Sequence, residues 1–278
     1  MPTIKRYLSD KNLKRFETDL KYLVKIVNNS NGELDIAIRA NYLNIYYKGN
    51  SLAKISFKEP DKYKVEIHKL FFDGTAADAP EFYEKVTVSN SRKALILSTE
   101  KPLRRFLQKK HIDQFCSKIK KVNYGEEIVF EQALITDNLE RDDLIIIDRQ
   151  ITDKELKRKR MDLLALKQVE ANRYCFLVIE VKLGNNSELK RDVSIQLNGY
   201  INHIEKYFDD YQNCYEKQFE QKREMSLMNY SSFESVKIER PVKGIVVVGG
   251  YSKIAQNSIT ELKQQFPNLQ VKQFEYKL

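Results

Sequence analysis

The stretch YCFLVIEVKL, residues 174–183, decides the fold because an unbroken apolar run ends in an acid and a lysine. Such runs are typical of strands covered on both faces, inside a sheet with helices packed on each side. Side chains alternate along a strand, so Glu180 and Lys182 point to one face and Val181 to the other. Charges at a buried strand end are costly without a partner or a function, so these two residues are candidates for chemistry.

The Glu-x-Lys spacing alone is a weak signal, because it occurs six times in the chain. The copies begin at Glu155, Glu180, Glu188, Glu220, Glu261 and Glu275. Four of these copies lie in polar or helical stretches, and the copy at Glu275 has no identifiable acidic strand partner. Only Glu180 closes a long apolar run, so only that copy predicts a site at the end of a buried strand.

The preceding strand, MDLLALKQV at residues 161–169, brings a second acid. Four residues separate the two strands, so a β-hairpin is the simplest connection. A two-residue turn at 171–172 places Asp162 opposite Val181, and a loop one residue shorter or longer moves this pairing by one residue. In each of these registers Asp162 lies within one residue of Glu180, although the face toward which it points is left open.

Two carboxylates at a strand end favour a divalent cation. Carboxylate oxygens are the ligands that Mg²⁺ prefers, and this ion usually shares its shell with waters and phosphate oxygens. A bound ion can polarise a phosphate and lower the pKa of an attacking water. Lys182 would then stabilise the transition state or hold the nucleophilic water. The alternative is a purely structural ion cluster of Asp162, Lys182 and Glu180.

The segment after Asn123 reads as helix, three strands, helix, strand, followed by one more helix and strand. Helices are predicted over 125–139, 187–208 and 252–266, and strands over 142–148, 161–169, 174–183, 243–250 and 269–276. Because the strands are apolar throughout, we predict an α/β fold in which helices cover both faces of a mixed sheet.

Residues 1–115 predict a separate N-terminal α+β module. Apolar spacing over 11–29 predicts a helix, and β-rich runs on either side of Gly49-Asn50 predict a small antiparallel sheet. A further helix is expected over 101–121. We assign this module to substrate selection or regulation, and residues 116–278 to the domain that carries the candidate site.

Residues 126–200 resemble the PD-(D/E)XK nuclease superfamily, whose αβββαβ, restriction-endonuclease-like core has the order predicted above. In that family an acid on the second core strand precedes Glu-x-Lys on the third, and Asp162 and Glu180-Val-Lys182 fill those places. The proline that often precedes the acid is replaced by Met161. The resemblance implies a nuclease that uses Mg²⁺ or Mn²⁺, with a metal site formed by Asp162, Glu180, Val181 and Glu131.

Further site residues follow from the same resemblance. The upstream helix of the family often donates another Glu, for which Glu131 is the best match and Glu127 the fallback. Branches like the RecB nuclease domain carry Gln-x-x-x-Tyr on the following helix, which Gln196 and Tyr200 match on one helical face. The catalytic set implied by the resemblance is Asp162, Glu180, Lys182, Glu131 and Gln196.

Basic residues indicate an anionic partner without identifying it. Lys and Arg outnumber Asp and Glu by 48 to 39, a formal net charge of +9, and ten of them lie between 92 and 121 against two acids. This favours a polyanion or an acidic surface, although basic segments are also common as solvated faces. Near the candidate site, we expect phosphate contacts from Gln150, Arg158, Arg160 and Tyr200, with a solvated loop as the alternative for the basic run 157–160.

Other classes of protein are not favoured. Cys116, Cys175 and Cys214 lie far apart without a CxxC pair, so neither a disulfide framework nor a zinc site is expected. The first residues lack the apolar core of a secretion signal, and no apolar run reaches the length of a membrane span. We therefore expect a cytoplasmic protein with no membrane partner.

The functional expectation is a metal-dependent nuclease that acts on DNA more than on RNA, in DNA processing, restriction or anti-phage defence. Two alternatives stay open at this point. One is a catalytically silent nucleic-acid-binding or scaffold protein with the same fold, and the other is a nuclease of RNA or DNA gated by a ligand or partner. A second copy of the chain, forming a homodimer, and a defence-system protein are further candidate partners.

Overall fold

The structure is a computed structural model that describes residues 4–88, 93–122, 125–156, 159–227 and 234–275. The chain divides into two compact units. One comprises Lys5–Tyr124 and Glu220–Ser232, and the other comprises Met1–Ile4, Gly125–Phe219 and Phe233–Leu278. The boundary expected after residue 115 falls inside the helix Lys109–Lys120. Buried side chains on both sides of that point, Ile112 and Ile119, keep this helix in the first unit as a whole.

The first unit combines short helices with an antiparallel sheet. In chain order its elements are α1 (Asp10–Arg15), α2 (Tyr22–Asn28), β1 (Leu34–Ile38), β2 (Tyr42–Tyr47), β3 (Asn50–Lys58), β4 (Lys62–His68), α3 (Lys69–Phe72), β5 (Lys85–Val88), β6 (Lys93–Thr99), α4 (Glu100–Phe106) and α5 (Lys109–Lys120). The strand order is β1-β2-β3-β4-β6-β5, and every pairing recorded in it is antiparallel.

Local sequence explains most of these elements. Strand β4 alternates partly exposed and buried residues, with Tyr63, Val65 and Ile67 buried, as expected of a strand with one covered face. The β2–β3 hairpin turns at Lys48 and Gly49, both at positive φ, one residue before the Gly49-Asn50 pair around which it was predicted.

Two predicted helices of this unit are interrupted. The helix expected over 11–29 contains a π-helical turn at Phe16–Leu20 between α1 and α2. The helix expected over 101–121 is two helices, α4 and α5, which are separated by Leu107 and Gln108.

The second unit contains the predicted helices and strands in the predicted order, together with one further helix and one short further strand. In chain order its elements are α6 (Glu126–Asp137), β7 (Leu144–Ile151), β8 (Met161–Glu170), β9 (Arg173–Leu183), α7 (Asp192–Lys206), α8 (Phe208–Glu224), β10 (Lys237–Ile238), β11 (Lys243–Gly249), α9 (Ser252–Gln265) and β12 (Val271–Phe274). Helix α8 passes into the first unit at Glu220. The helix expected over 187–208 is a short 3-10 turn, Ser187–Lys190, followed by α7.

The sheet of this unit is mixed, as predicted. Its strand order is β12-β11-β9-β8-β7, and β10 pairs with β9 outside this path. Strands β7, β8 and β9 are antiparallel neighbours, whereas β9, β11 and β12 run parallel. The arrangement α6-β7-β8-β9-α7-β11 confirms the αβββαβ, restriction-endonuclease-like core expected from the sequence.

Strand β9 is covered on both faces, which explains its unbroken apolar sequence. On one face, Ile179 and Val181 belong to a buried cluster with Phe130 of α6. On the other face, the ring of Phe176 meets three aromatic rings edge-on, those of Phe208, Tyr211 and Tyr215. Replacing a core residue of this size by Ala typically costs about 3–5 kcal/mol, so both layers hold the strand in place.

No helix of the described segments has the length and apolar character needed to cross a membrane.

Candidate active site

The turn between β8 and β9 sets the position of Asp162. Glu170 pairs with Arg173 across a two-residue turn, in which Asn172 has a positive φ of 59°. The register then shifts between Gln168 and Glu170, so Val169 is an extra residue on β8, as in a β-bulge. Beyond the bulge, Leu163 pairs with Ile179, and continuing this register by one residue places Asp162 opposite Glu180.

The two acids and the lysine share one face of the sheet. Leu163, Ile179 and Val181 all belong to the apolar cluster on the opposite face. Because side chains alternate along strands, Asp162, Glu180 and Lys182 point away from that cluster. All three line one cleft of about 500 Å³. The structure therefore brings together the three residues on which the predicted chemistry depends.

Hydrogen bonds and ion pairs hold these three side chains. The main-chain N–H of Val181 donates to Oδ2 of Asp162 at 2.9 Å. Nζ of Lys182 lies 3.0 Å from Oε1 of Glu180 and 3.0 Å from Oε2 of Glu188. Among the described residues, no amide, amine or hydroxyl donor reaches Oε2 of Glu180, although this oxygen is buried. The carboxyl of Asp162 interacts with the carboxyl of Glu180, so two acids face each other inside the site.

Burial dominates the electrostatics of the cleft. Burial first, and then the neighbouring carboxylate of Asp162, raise the pKa of Glu180 to about 8, against the opposing effect of Lys182. Burial also raises the pKa of Asp162, while the N–H of Val181 and the charge of Lys182 oppose that shift. Burial disfavours the charged amine of Lys182, but Glu180 and Asp162 outweigh this penalty and raise its pKa.

The residues present suit Mg²⁺ or Mn²⁺ only if the protein supplies one or two of the ion's ligands. Within the described segments, no three His, Cys, Asp or Glu side chains are grouped so that they could hold a metal ion. Mg²⁺ is commonly held by one or two carboxylates and completes its shell with waters and substrate phosphate. Asp162 and Glu180 provide that number. Two buried carboxylates beside each other are costly, and a cation held by Asp162 and Glu180 would offset that cost.

The two acids considered on the upstream helix occupy different surroundings. Glu127, the fallback, lines the cleft, and burial raises its pKa. Glu131 does not line the cleft, although burial and the charge of Asp162 raise its pKa to about 7. Both oxygens of Glu131 accept hydrogen bonds from Nε2 of Gln150 at 2.8 Å, and Arg149 lies 3.5 Å away. We expected Gln150 to contact phosphate. Its side-chain amide instead holds Glu131 in a buried polar group.

Helix α7 brings its two predicted residues to the cleft. Gln196 and Tyr200 both line it, together with Arg160 from the other wall. The hydroxyl of Tyr200 donates to the main-chain carbonyl of Arg160 at 3.0 Å, which ties the helix to the segment before β8. Val181 contributes its main-chain N–H, because its side chain is buried in the apolar cluster. Arg158 lies outside the described residues.

Three further cleft residues were not predicted: Thr152, Asn186 and Glu188. Glu188 begins one of the Glu-x-Lys copies that we had set aside as polar. Asn186 precedes the 3-10 turn Ser187–Lys190, and its side chain accepts a hydrogen bond from the N–H of Glu188 at 2.9 Å. The sequence signal for Glu188 was its short distance from Lys182 along the chain, after a strand that ends at the site.

Comparison with known proteins adds little to this picture. No family model matches the chain. No curated protein matches it. A crystal structure of a repair endonuclease from Pyrococcus abyssi is similar over 87% of this chain and 77% of that chain, with 12% sequence identity and a TM-score of 0.26. The class of the fold therefore rests on the strand order described above, and the chemistry rests on the cleft.

Proposed function

We propose that this protein is a metal-dependent nuclease that hydrolyses phosphodiester bonds, with DNA as its substrate in preference to RNA. The observation that carries the proposal is the convergence of Asp162, Glu180 and Lys182 on one cleft, where the two carboxyl groups are both buried. Two adjacent buried carboxylates disfavour each other's ionisation, and a divalent cation held by both would offset this cost.

Asp162 and Glu180 would hold Mg²⁺ or Mn²⁺, which supplies Lewis-acid activation of the phosphate and a lower pKa for an attacking water. The N–H of Val181 orients the carboxylate of Asp162 through one oxygen. Lys182, only 8% exposed, presents a fixed positive charge in a poorly solvated position. A preorganised charge of this kind stabilises a developing negative charge on a phosphate without further reorganisation.

The walls of the cleft would position the substrate. Arg160 is exposed at the cleft, and a guanidinium can form paired hydrogen bonds with phosphate oxygens. Tyr200 fixes the main chain of Arg160, and the amide of Gln196 can donate or accept at the cleft surface. The net charge of +9 supports attraction of a polyanion, and DNA processing, restriction or anti-phage defence are roles in which such an activity would serve.

A cleavage assay tests the proposal. Purified protein is incubated with double-stranded DNA, single-stranded DNA and RNA in the presence of Mg²⁺, Mn²⁺ or EDTA. We expect cleavage of DNA that requires the divalent ion and is lost in Asp162→Asn and Glu180→Gln. Glu261→Gln is the matched control, because Glu261 begins another Glu-x-Lys copy and is exposed on α9. DNA that is bound but left whole under every condition would contradict the proposal and favour a silent nucleic-acid-binding protein.

A further inference from the structure

Lys182 is held by two carboxylates that differ in exposure. Glu180 belongs to β9, and its side chain is 2% exposed. Glu188 belongs to the 3-10 turn Ser187–Lys190, and its side chain is 40% exposed. Each places an oxygen 3.0 Å from Nζ of Lys182. The amine therefore has one partner fixed inside the sheet and one at the solvent side of the cleft.

The main chain of Glu188 is fixed, which leaves its side chain as the part that can move. Asn186 accepts a hydrogen bond from the N–H of Glu188 and donates to Oε2 of Glu127 at 3.4 Å. The next residue, Leu189, is fully buried. A half-exposed carboxylate on such an anchored turn can leave Lys182 by changing rotamer, without any movement of the turn.

The position of Glu188 matters because the expected substrate is an anion. A phosphodiester entering the cleft meets the negative charge of Glu188 and finds Lys182 already paired. Like charges at this distance repel, and the amine cannot give its full attraction to two anions at once. The phosphate and the carboxylate of Glu188 therefore compete for Lys182.

We propose that Glu188 is a displaceable partner of Lys182, which holds the amine in the free protein and must be replaced by a substrate phosphate on binding. The inference rests on the proposed function and deepens it, since it names a residue with which the substrate phosphate must compete for Lys182. An ion pair with a half-exposed partner is weak, so a phosphate loses only a little binding free energy in displacing Glu188. Removing the charge of Glu188 should therefore strengthen DNA binding by about two- to five-fold.

The test measures binding of a short fluorescent DNA duplex by anisotropy in EDTA, where neither metal nor cleavage contributes. Glu188→Gln keeps the size of the side chain and removes its charge. Glu261→Gln is the matched control, because both acids lie in a Glu-Leu-Lys triplet whose leucine is fully buried. We expect tighter binding for Glu188→Gln and wild-type binding for Glu261→Gln. Equal binding by the two variants would overturn the inference.

A double-mutant cycle separates competition for Lys182 from simple repulsion. If Glu188 acts through Lys182, the gain from Glu188→Gln largely disappears when it is combined with Lys182→Met. A gain that persists in full in that background would overturn the inference and leave general repulsion as the cause. Wild-type protein that binds no DNA in EDTA and cleaves none with Mg²⁺ or Mn²⁺ would remove the proposed function as well, whereas wild-type binding without an effect of Glu188→Gln would remove this inference alone.

Discussion

The register of β8 and β9, continued by one residue beyond Leu163 and Ile179, places Asp162 opposite Glu180, because the hairpin contains one extra residue, Val169. The turn alone would have placed Asp162 opposite Val181, whose side chain is buried in the apolar cluster of the other face. A shift of one residue exchanges the two faces of a strand, so the bulge decides whether two carboxylates meet or are separated by the sheet.

The burial of Glu180, together with its proximity to Asp162, predicts an unusual dependence of stability on pH. Glu180 has a pKa of about 8 in the folded protein, above its ordinary value of 4.5. Between these values the folded protein keeps a proton that the unfolded chain releases, so the free energy of unfolding falls as the pH rises toward 8. In Glu180→Gln this loss is absent. In thermal unfolding in EDTA from pH 5 to 9, the melting temperature of Glu180→Gln should therefore rise relative to that of the wild type as the pH increases. Parallel curves for the two proteins would contradict the assigned environment of Glu180.

Divalent cations should stabilise the folded protein through the same two carboxylates. A ligand present at about one hundred times its Kd raises the free energy of unfolding by about 2.7 kcal/mol. We expect Mn²⁺ to raise the melting temperature of the wild type and of Glu261→Gln, and to have little effect on Asp162→Asn. The gain should increase with pH, because the ion competes with protons for Glu180. An equal gain in all three proteins would place the bound ion elsewhere.

Lys182 should be required for catalysis and dispensable for the fold. Replacing it by Met removes the fixed positive charge of the cleft, and loss of one such group typically lowers rates by about two to three orders of magnitude. Cleavage rate and circular dichroism are measured together, with Lys263→Met as the control, because Lys263 is an exposed lysine of another Glu-Leu-Lys triplet, on α9. A variant with wild-type cleavage in a preparation free of contaminating nuclease would exclude the role given to Lys182.

Two glycines of the second unit should respond in opposite ways to replacement by Ala. A Cβ at Gly249 would lie 2.6 Å from the ring of Phe130, so Gly249→Ala forces the core apart and should cost about 1–3 kcal/mol of stability. A Cβ at Gly199 meets no described atom within 4 Å. Because Gly199 lies inside α7, Gly199→Ala should add about 0.5–1 kcal/mol. Urea denaturation measures both, and a stabilised Gly249→Ala would show that α6 packs differently.

The order of elements could be predicted because each element of the second unit carries its own signal. Strand β9 is apolar throughout because both of its faces are covered. The two-residue turn at 171–172 could be placed because Asn172 tolerates the positive φ that the turn requires. These features are local, or they depend on burial alone. The mixed sheet and its αβββαβ order are accordingly confirmed.

The details of the cleft could not be predicted to the same extent. The extra residue at Val169 depends on how β8 aligns with β9 over their whole length, which no local pattern records. The choice between Glu127 and Glu131 depends on the rotation of α6 against the sheet, and the low hydrophobic asymmetry of EEIVFEQALITD leaves that rotation open. The contact of Glu188 with Lys182 arises from the folding back of a short turn after β9.

The central claim is that Asp162 and Glu180 hold one divalent ion, and anomalous diffraction at the manganese edge tests it most directly. Crystals soaked with Mn²⁺, at a concentration that supports cleavage, should show an anomalous peak between the two carboxylates, within about 2.0–2.6 Å of an oxygen from each. The same crystals of Glu180→Gln should show a much weaker peak. A wild-type map with no peak there, or with its peak at another site, would contradict the claim.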